Sequence, residues 1–233
     1  MVSIICCYNE KKQYNAMVQS LCGQTIDYEI IGIDNTCNTY NSAASALNVG
    51  AEKASGEILV FLHQDIIFNS VLSLEHFVCQ IDKDNMIIGL FGATRERFNI
   101  NEKLQLVDTL DECCVAMSKN TWHWYKFNEK ICDNWHLYVV ELCLRAKLNK
   151  AKIVTGQFNI THLSDGNVDD GYMQTYKKLI KEYKQFGWIC TTCKSMPANM
   201  IAFYCYYFPW KVKKLLLGNY PLISRIKRYV GSK

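Results

Sequence analysis

Apolar blocks separated by polar stretches fill the first third of the chain, and each block predicts one element of secondary structure. Largely apolar runs over 2–7, 28–33 and 58–62 are typical of strands that are buried on both faces of a sheet. Between these runs, apolar residues recur every three or four positions over 10–21 and 42–53, which predicts two amphipathic helices. The alternation of strands and helices predicts an α/β fold with a Rossmann-like, mostly parallel central sheet flanked by helices.

The rest of the chain continues this pattern at wider spacing. Short apolar runs over 86–91, 113–117 and 152–155 predict three further strands, and periodic apolar positions predict helices over 137–148 and 173–186. A hydrophobic content of 49% with 21% charged residues is that of an ordinary globular protein with a substantial core. No apolar run reaches the roughly 18 residues that a membrane-spanning helix needs, so we do not expect one.

Polar side chains follow each of the first three predicted strands at the point where the strand ends. They are the segment from Tyr8 to Glu10, then Asp34, then the segment from His63 to Asp65. The carboxyl ends of parallel strands share one edge of a sheet, where open α/β folds bind their ligands. An imidazole, an amide and a carboxylate after a buried strand therefore predict a metal or phosphate site. The alternative is a sheet edge that simply meets solvent.

Charge is distributed unevenly along the chain. No acidic residue follows Glu182, whereas nine lysines and arginines do, so the end of the chain carries +9 and the preceding part −5 of the net +4. A basic end of this kind favours polyanionic partners such as an acidic membrane face, a nucleic acid or a phosphorylated substrate.

The 12 cysteines favour reduced, buried thiols over disulfides. Most of them lie within apolar runs, and the chain opens on a strand-like run and not on a signal sequence, so we expect a reducing, cytoplasmic location. Cys190 and Cys193 form one CxxC pair, and without a second pair a structural zinc site is the weaker alternative.

Three segments together point to a known family. VSIICCYNE at the start, IIGIDNT in the second strand and LNVGAEKASGEILVFLHQDI over 47–66 resemble the family 2 glycosyltransferases with the GT-A fold. The resemblance resumes with WHLYVVELCLRA over 135–146 and THLSDG over 161–166, which look like the branch that builds bacterial capsule and cell-surface glycans. It implies a hexosyltransferase-type enzyme that moves a sugar from a nucleoside diphosphate sugar, expected to be a UDP-sugar, by an inverting single displacement.

The resemblance also implies roles for individual residues. Residues expected to bind the nucleotide are Cys6, Tyr8, Glu10, Asp34, Asn48 and Gln64. Residues expected to ligate a metal are His63, Asp65 and His162. Glu141 occupies the position of the family's catalytic base. Asp65 is expected to take part in catalysis by binding the metal. Imidazole ligands suit Mn²⁺ better than Mg²⁺, so the expected cofactor is a divalent metal, with Mn²⁺ preferred.

The sequence departs from the family pattern at two of these positions. His63 stands where the first acid of the metal motif is usual, and Val139 and Val140 precede Glu141 where many relatives have an acidic residue. These departures keep open a second hypothesis, a catalytically inactive protein of the same fold that binds nucleotide sugars or assembles with membrane partners.

The expected organisation has two parts. Residues 1–170 form the GT-A domain that binds nucleotide sugar and catalyses transfer, and residues 171–233 form a helical, basic, aromatic-rich extension. Within it, the stretch over 201–214 interleaves aromatic residues with lysines, which suits either packing on the core or contact with anionic lipid. We therefore expect a cytoplasmic protein, and contact with the inner face of the cytoplasmic membrane is a further hypothesis. The expected acceptor is a glycan or a lipid-linked molecule. The basic end matches no nucleic-acid-binding module, so nucleic acid is not an expected partner.

Overall fold

The computed structural model describes residues 1–82, 84–95 and 104–217. In chain order the strands are β1 Val2–Tyr8, β2 Tyr28–Asp34, β3 Ile58–Leu62, β4 Ile66–Phe68, β5 Met86–Gly89, β6 Gly92–Ala93, β7 Leu104–Leu106, β8 Thr109–Leu110, β9 Cys114–Ser118, β10 Lys152–Gly156, β11 Ile160–His162, β12 Trp188–Ile189 and β13 Met196–Pro197. The helices are α1 Lys11–Ser20, α2 Ala43–Lys53, α3 Ser73–Val78, α4 Lys119–Tyr125, α5 Tyr138–Leu148, α6 Asp170–Glu182 and α7 Met200–Leu217, with a 3₁₀ helix over Lys184–Phe186.

The central sheet has seven strands in the order β2-β1-β3-β9-β5-β10-β7. Strands β1, β2, β3, β5 and β10 run in one direction, and β9 and β7 run against them. The predicted α/β fold with a mostly parallel central sheet is therefore confirmed. The antiparallel β9 inside the sheet was not predicted, because an apolar run carries no information on strand direction.

Apolar layers cover both faces of the sheet, which explains why the strands are apolar at nearly every position. Ile4 and Cys6 of β1 lie in the layer with α1 and α3, whereas Ile5 lies in the opposite layer with α2 and α5. Alternate residues of one strand thus enter different cores. Helix α2 approaches β1 closely at Gly50, where a Cβ atom would lie 2.4 Å from Cγ2 of Ile5.

The last third of the chain packs on α5. Leu137, Val140 and Leu144 share an apolar cluster with Tyr176 of α6 and Phe203 of α7. Helix α6 begins at Asp170, three residues before the predicted start, because the Asp169 side chain accepts a hydrogen bond from the backbone N–H of Tyr172 and caps the helix. The division into two parts at residue 170 stays a prediction.

In the described ranges, none of the helices is both long enough and apolar enough to cross a membrane. All 12 cysteines are free, and six of them are buried. Residues 218–233, which include much of the basic end, lie outside the described residues.

Candidate functional site

A short antiparallel pair of strands builds the candidate site. The chain leaves the central sheet after Leu62, turns through residues 63–65 and enters β4. Strand β4 pairs with β11, and in this pair His162 lies opposite Ile66. The backbone N–H of Leu163 donates to the carbonyl of Asp65 at 3.1 Å. Two segments almost 100 residues apart in sequence are thereby joined at the carboxyl end of β3.

The side chains of His63, Asp65 and His162 converge there. One ligand atom from each lies within 4.8 Å of the other two, and Nε2 of His162 is 3.3 Å from Oδ2 of Asp65. The two imidazole rings are 5.7 Å apart between centroids. The three residues that were predicted to ligate a metal are therefore neighbours, and we call this set the His-Asp-His cluster.

The pKa shifts in the cluster follow from burial and from mutual charge. Burial would raise the pKa of Asp65, but hydrogen bonds from His162 and Ser164 outweigh it and hold that pKa well below its usual range. Burial likewise opposes charge on His162, yet Asp65 raises its pKa. Burial and the neighbouring His162 lower the pKa of His63. Asp65 is thus held charged and His63 neutral, as metal ligands must be, whereas His162 is held toward its protonated form and would have to lose that proton to bind a cation.

His63 is oriented by hydrogen bonds that leave little freedom to its ring. Its backbone N–H donates to the carbonyl of Cys113 at 2.8 Å, and its Nε2 lies 3.1 Å from the hydroxyl of Tyr138. The Tyr138 hydroxyl also donates to the carbonyl of Glu112 at 3.3 Å. Tyr138 was not predicted to take part in the site. Only the start of α5 brings it there, and the sequence gives no signal of that contact.

The donor set fits a divalent cation. One carboxylate and two imidazoles offer oxygen and nitrogen ligands, a combination that Mn²⁺ accepts and that Zn²⁺ and other first-row metals also accept. Ligating histidines commonly make a hydrogen bond through the other ring nitrogen, which fixes the ring, and Tyr138 provides such a bond for Nε2 of His63. Nε2 of His162 contacts both Asp65, at 3.3 Å, and Ser164 Oγ, at 3.2 Å.

A second polar area lies at the ends of β1 and β2. The hydroxyl of Tyr8 donates to Oδ2 of Asp34 at 3.1 Å, and the Tyr8 ring stacks on Tyr14 with centroids 4.0 Å apart. Hydrogen bonds from the side chain and the backbone N–H of Thr36 lower the pKa of the exposed Asp34 carboxyl. An exposed carboxylate beside an aromatic face can bind the hydroxyls and the base of a nucleoside.

Gln64 and Glu10 meet at the turn after β1. Gln64 Oε1 accepts hydrogen bonds from the backbone N–H groups of Asn9 and Glu10, at 3.0 and 2.9 Å, and Gln64 Nε2 donates to Asn9 Oδ1. Gln64 therefore ties the turn after β1 to the turn after β3. Both amide atoms of Gln64 are thus hydrogen-bonded within the protein, whereas the Glu10 side chain next to them is exposed.

Two residues predicted to bind nucleotide are buried instead. The Cys6 side chain is wholly buried within the core beside α1. Asn48 donates to the carbonyl of Phe127 and to Glu129, and its Oδ1 accepts from the backbone N–H of Phe127. Both amide atoms of Asn48 are thus used to hold the loop after α4, so neither residue offers a free polar group to a ligand.

Glu141 lies in a buried ion pair. Its side chain has no exposed surface, and its two oxygens accept hydrogen bonds from Arg145 at 3.0 Å each. Oε1 also accepts from Asn128 at 3.1 Å and from the Tyr183 hydroxyl at 2.6 Å. The surroundings of Glu141 do not support its prediction as the catalytic base, because no oxygen is accessible to an acceptor. Its spacing of four residues from Arg145 had already indicated an ion pair.

Another acid–base pair was missed by the sequence analysis. His136, just before α5, has its Nε2 3.0 Å from Oδ1 of Asp169, the residue that caps α6. The two residues are 33 positions apart and on different elements, so periodicity and spacing do not reveal the contact.

The fold of this chain is the GT-A fold of glycosyltransferases. A family model described as "Glycosyltransferase like family" matches residues 3–97, which contain β1 to β3, the Tyr8 and Asp34 area, and two of the three cluster residues. No curated protein matches the sequence.

Solved structures with this fold share little sequence with the chain. TarS 1-349 of S. aureus aligns with a TM-score of 0.53 and 16% identity over 78% of this chain and 64% of its own. GalNAc-T7 with UDP, GalNAc and Mn²⁺ aligns at 0.61 and 11% identity, over 80% of this chain and 50% of its own. The mannosyltransferase PcManGT of Pyrobaculum calidifontis, with GDP-Man and Mn²⁺, aligns at 0.56 and 13% identity, over 79% and 62%. The chain therefore spans less than two thirds of each of these proteins.

Proposed function

We propose that this protein is a glycosyltransferase that moves a sugar from a nucleoside diphosphate sugar to an acceptor hydroxyl, with the help of a divalent cation. The observation that carries the proposal is the His-Asp-His cluster at the carboxyl end of β3 in a GT-A fold. The family match over 3–97 supports it independently, because it covers the strands that lead to the cluster.

The chemistry of the reaction explains the residue types. A bound divalent cation supplies positive charge that stabilises the diphosphate as the glycosidic bond breaks. Asp65, His63 and His162 would hold the cation, and Tyr138 orients the imidazole of His63. Single displacement by the acceptor hydroxyl inverts the configuration at the anomeric carbon.

For the donor we propose a UDP-sugar with a hexosyl group, bound with Mn²⁺. Tyr8 and Asp34 are the residues we propose for the nucleoside, Tyr8 through its ring and Asp34 through hydrogen bonds to base or ribose hydroxyls. Glu10 borders them, and Gln64 keeps the turn in place. TarS in complex with UDP-GlcNAc and GalNAc-T7 with UDP and Mn²⁺ are neighbours in fold, which favours this donor class as the first to test.

For the acceptor we propose a bacterial surface glycan or its lipid-linked precursor, reached by a protein that contacts the inner face of the cytoplasmic membrane. Helix α7 supports this through exposed apolar side chains at Ile201, Phe208, Leu215 and Leu216, each at least 60% exposed. Lys213 is exposed on the same helix. Lys211 and Lys214 are each 2.9 Å from an Asp170 oxygen, so they pair with α6 and are less available to lipid.

The membrane contact is tested with vesicles. Phe208→Ser together with Leu216→Ser should reduce sedimentation of the protein with phosphatidylglycerol vesicles, whereas Lys211→Gln should change it little because Lys211 already has a protein partner. Equal sedimentation of the double variant and the wild type would refute contact through α7.

A catalytically inactive nucleotide-sugar-binding protein is the second candidate function. The ion pair of Glu141 favours it, because the residue in the family position of the base is not free to take a proton.

The test of the proposed function is release of nucleotide and transfer of sugar from UDP-glucose, UDP-galactose, UDP-N-acetylglucosamine and GDP-mannose, with and without Mn²⁺. Turnover of at least one donor that needs the metal supports a glycosyltransferase. Binding of UDP without turnover of any donor would favour the inactive protein instead.

A further inference from the structure

We propose that His136 is the catalytic base, and that Asp169 is the residue that positions it. This inference rests on the proposed function, since a base is needed only if a hydroxyl attacks the sugar. The reaction requires the acceptor oxygen to lose its proton as it bonds to the anomeric carbon, while the bond from that carbon to the diphosphate oxygen breaks. The nucleoside diphosphate leaves with the electron pair, and the proton moves to the imidazole of His136.

Three acidic side chains near the site do not meet this need. Glu141 is buried and fully hydrogen-bonded by Arg145, Asn128 and Tyr183. Asp65 belongs to the His-Asp-His cluster. Glu112 is fully buried, and burial and the neighbouring Asp111 raise its pKa well above its usual value, which favours the protonated form of that carboxyl.

His136 has a ring nitrogen that is free to act. Its Nε2 is 3.0 Å from Oδ1 of Asp169, and this contact favours the tautomer with the proton on Nε2. Nδ1 then has the lone pair, and in the described part of the chain Nδ1 makes no hydrogen bond. The side chain is 20% exposed, so a hydroxyl can reach it. An imidazole oriented by a carboxylate is an effective general base near neutral pH.

The fold places His136 two residues before a side chain that contacts the cluster. Leu137 adopts a left-handed conformation with φ of 63° and immediately precedes α5, and Tyr138, the first residue of α5, contacts His63. His136 is therefore two residues before Tyr138, whose side chain orients the predicted metal ligand His63.

Asp169 is held so that its carboxylate can serve His136. Oδ1 also accepts from the backbone N–H of Tyr172 at 2.9 Å, which fixes the side chain at the start of α6. Gly171 permits the contact, because a Cβ atom there would lie 3.2 Å from Oδ1 of Asp169 and 3.4 Å from Cδ2 of His136. Burial opposes the charge of Asp169, but the Tyr172 N–H and the adjacent His136 lower its pKa, so it is ionised at neutral pH.

The test compares nucleotide release, with water as acceptor, from whichever of the four named donors the wild type turns over fastest. His136→Ala should reduce kcat roughly 10²- to 10⁴-fold, the usual contribution of a general base. Millimolar imidazole should restore part of that loss, which it would not do for a purely structural histidine. His123→Ala, which removes an exposed imidazole from α4, is the matched control and should keep wild-type turnover.

Asp169→Asn separates positioning from helix capping. Asparagine caps a helix about as well as aspartate, so the melting temperature should not change. Loss of the charge should lower kcat roughly 10²-fold through misorientation of the imidazole, with the KM for the donor unchanged. UDP binding with Mn²⁺, measured by calorimetry on each variant, shows whether the donor site is still folded.

Each result has a distinct meaning. If His136→Ala, or a folded His136→Gln, turns over the donor at the wild-type rate, the role of His136 is refuted and the proposed function is left intact. Turnover lost in His136→Ala and not restored by imidazole, with UDP binding also lost, would assign His136 a structural role. A wild type that turns over none of the four donors would refute the proposed function, and the role of His136 with it.

Discussion

Asp65 and Glu141 are both buried carboxylates, and the resemblance implies a part in catalysis for each, yet their surroundings differ sharply. Glu141 is matched by a guanidinium, an amide and a phenol, so its charge and its hydrogen-bonding capacity are satisfied within the protein. Asp65 faces two imidazoles and a serine, and no lysine or arginine of the described residues pairs with it.

This difference distinguishes a carboxylate that stabilises the fold from one that is available to a ligand. A buried ion pair with complete hydrogen bonding holds α5 to α6 and to the loop after α4. A carboxylate next to imidazoles, which are common metal ligands, has neighbours that could share a cation with it. The two sites should therefore respond in opposite ways to substitution.

The largest effect on stability is expected at Glu141. Glu141→Gln leaves Arg145 without its charge partner inside the protein, which should lower the free energy of unfolding by about 3 kcal/mol. The measurement is urea denaturation at neutral pH. Mn²⁺ affinity of the folded variant should equal that of the wild type, and a large loss of affinity without a loss of stability would place Glu141 in the site after all.

The largest effect on activity is expected at Asp65. Asp65→Asn keeps the shape but removes the charge that holds the cation, so metal-dependent nucleotide release should fall by roughly 10²–10³-fold. Its free energy of unfolding without metal should fall by less than that of Glu141→Gln, because His162, unlike Arg145, can become neutral when it loses its carboxylate partner. Activity that survives in Asp65→Asn would separate the cluster from catalysis.

Asn48 provides an intermediate case. Asn48→Ala removes the partner of the Phe127 backbone N–H and carbonyl, which should lower the free energy of unfolding by about 1–3 kcal/mol. Thermal denaturation measures this loss. UDP affinity should be unaffected, and a tenfold weaker affinity in a stable variant would restore Asn48 to the nucleotide site.

The smallest effect is expected at Tyr138. Tyr138→Phe removes the hydroxyl that orients His63, which should weaken Mn²⁺ binding about tenfold. Calorimetric titration of Mn²⁺ measures it, with Tyr125→Phe on α4 as the control because that hydroxyl bonds Asn85 and not the cluster. Equal affinity in the two variants would mean that His63 does not bind the metal.

The sequence predicted those parts of the molecule that depend on local pattern. Apolar runs identified β1, β2 and β3, and helical periodicity identified α1, α2 and α5, because burial on both faces of a sheet demands these patterns. The polar ends of the strands predicted the edge of the sheet at which the candidate site lies. The resemblance named His162, which the β4–β11 pair then brings to Asp65 across almost 100 residues.

Contacts between distant elements were beyond reach of the sequence. Nothing in the pattern indicates that Tyr138 meets His63, that Asp169 meets His136, or that Tyr183 completes the surroundings of Glu141. Strand β11 and the short β4 were also missed, since three-residue strands are too short to establish a period. These long-range contacts decide which polar residues are free to act.

Calorimetric titration of UDP into the wild-type protein, with and without Mn²⁺, tests the central claim most directly. We predict that UDP binds in the presence of Mn²⁺, that affinity falls at least tenfold without the metal, and that Asp65→Asn abolishes this dependence while Glu141→Gln preserves it. UDP affinity that is the same with and without Mn²⁺, or a metal dependence that Asp65→Asn retains, would contradict a metal-assisted donor site at the His-Asp-His cluster.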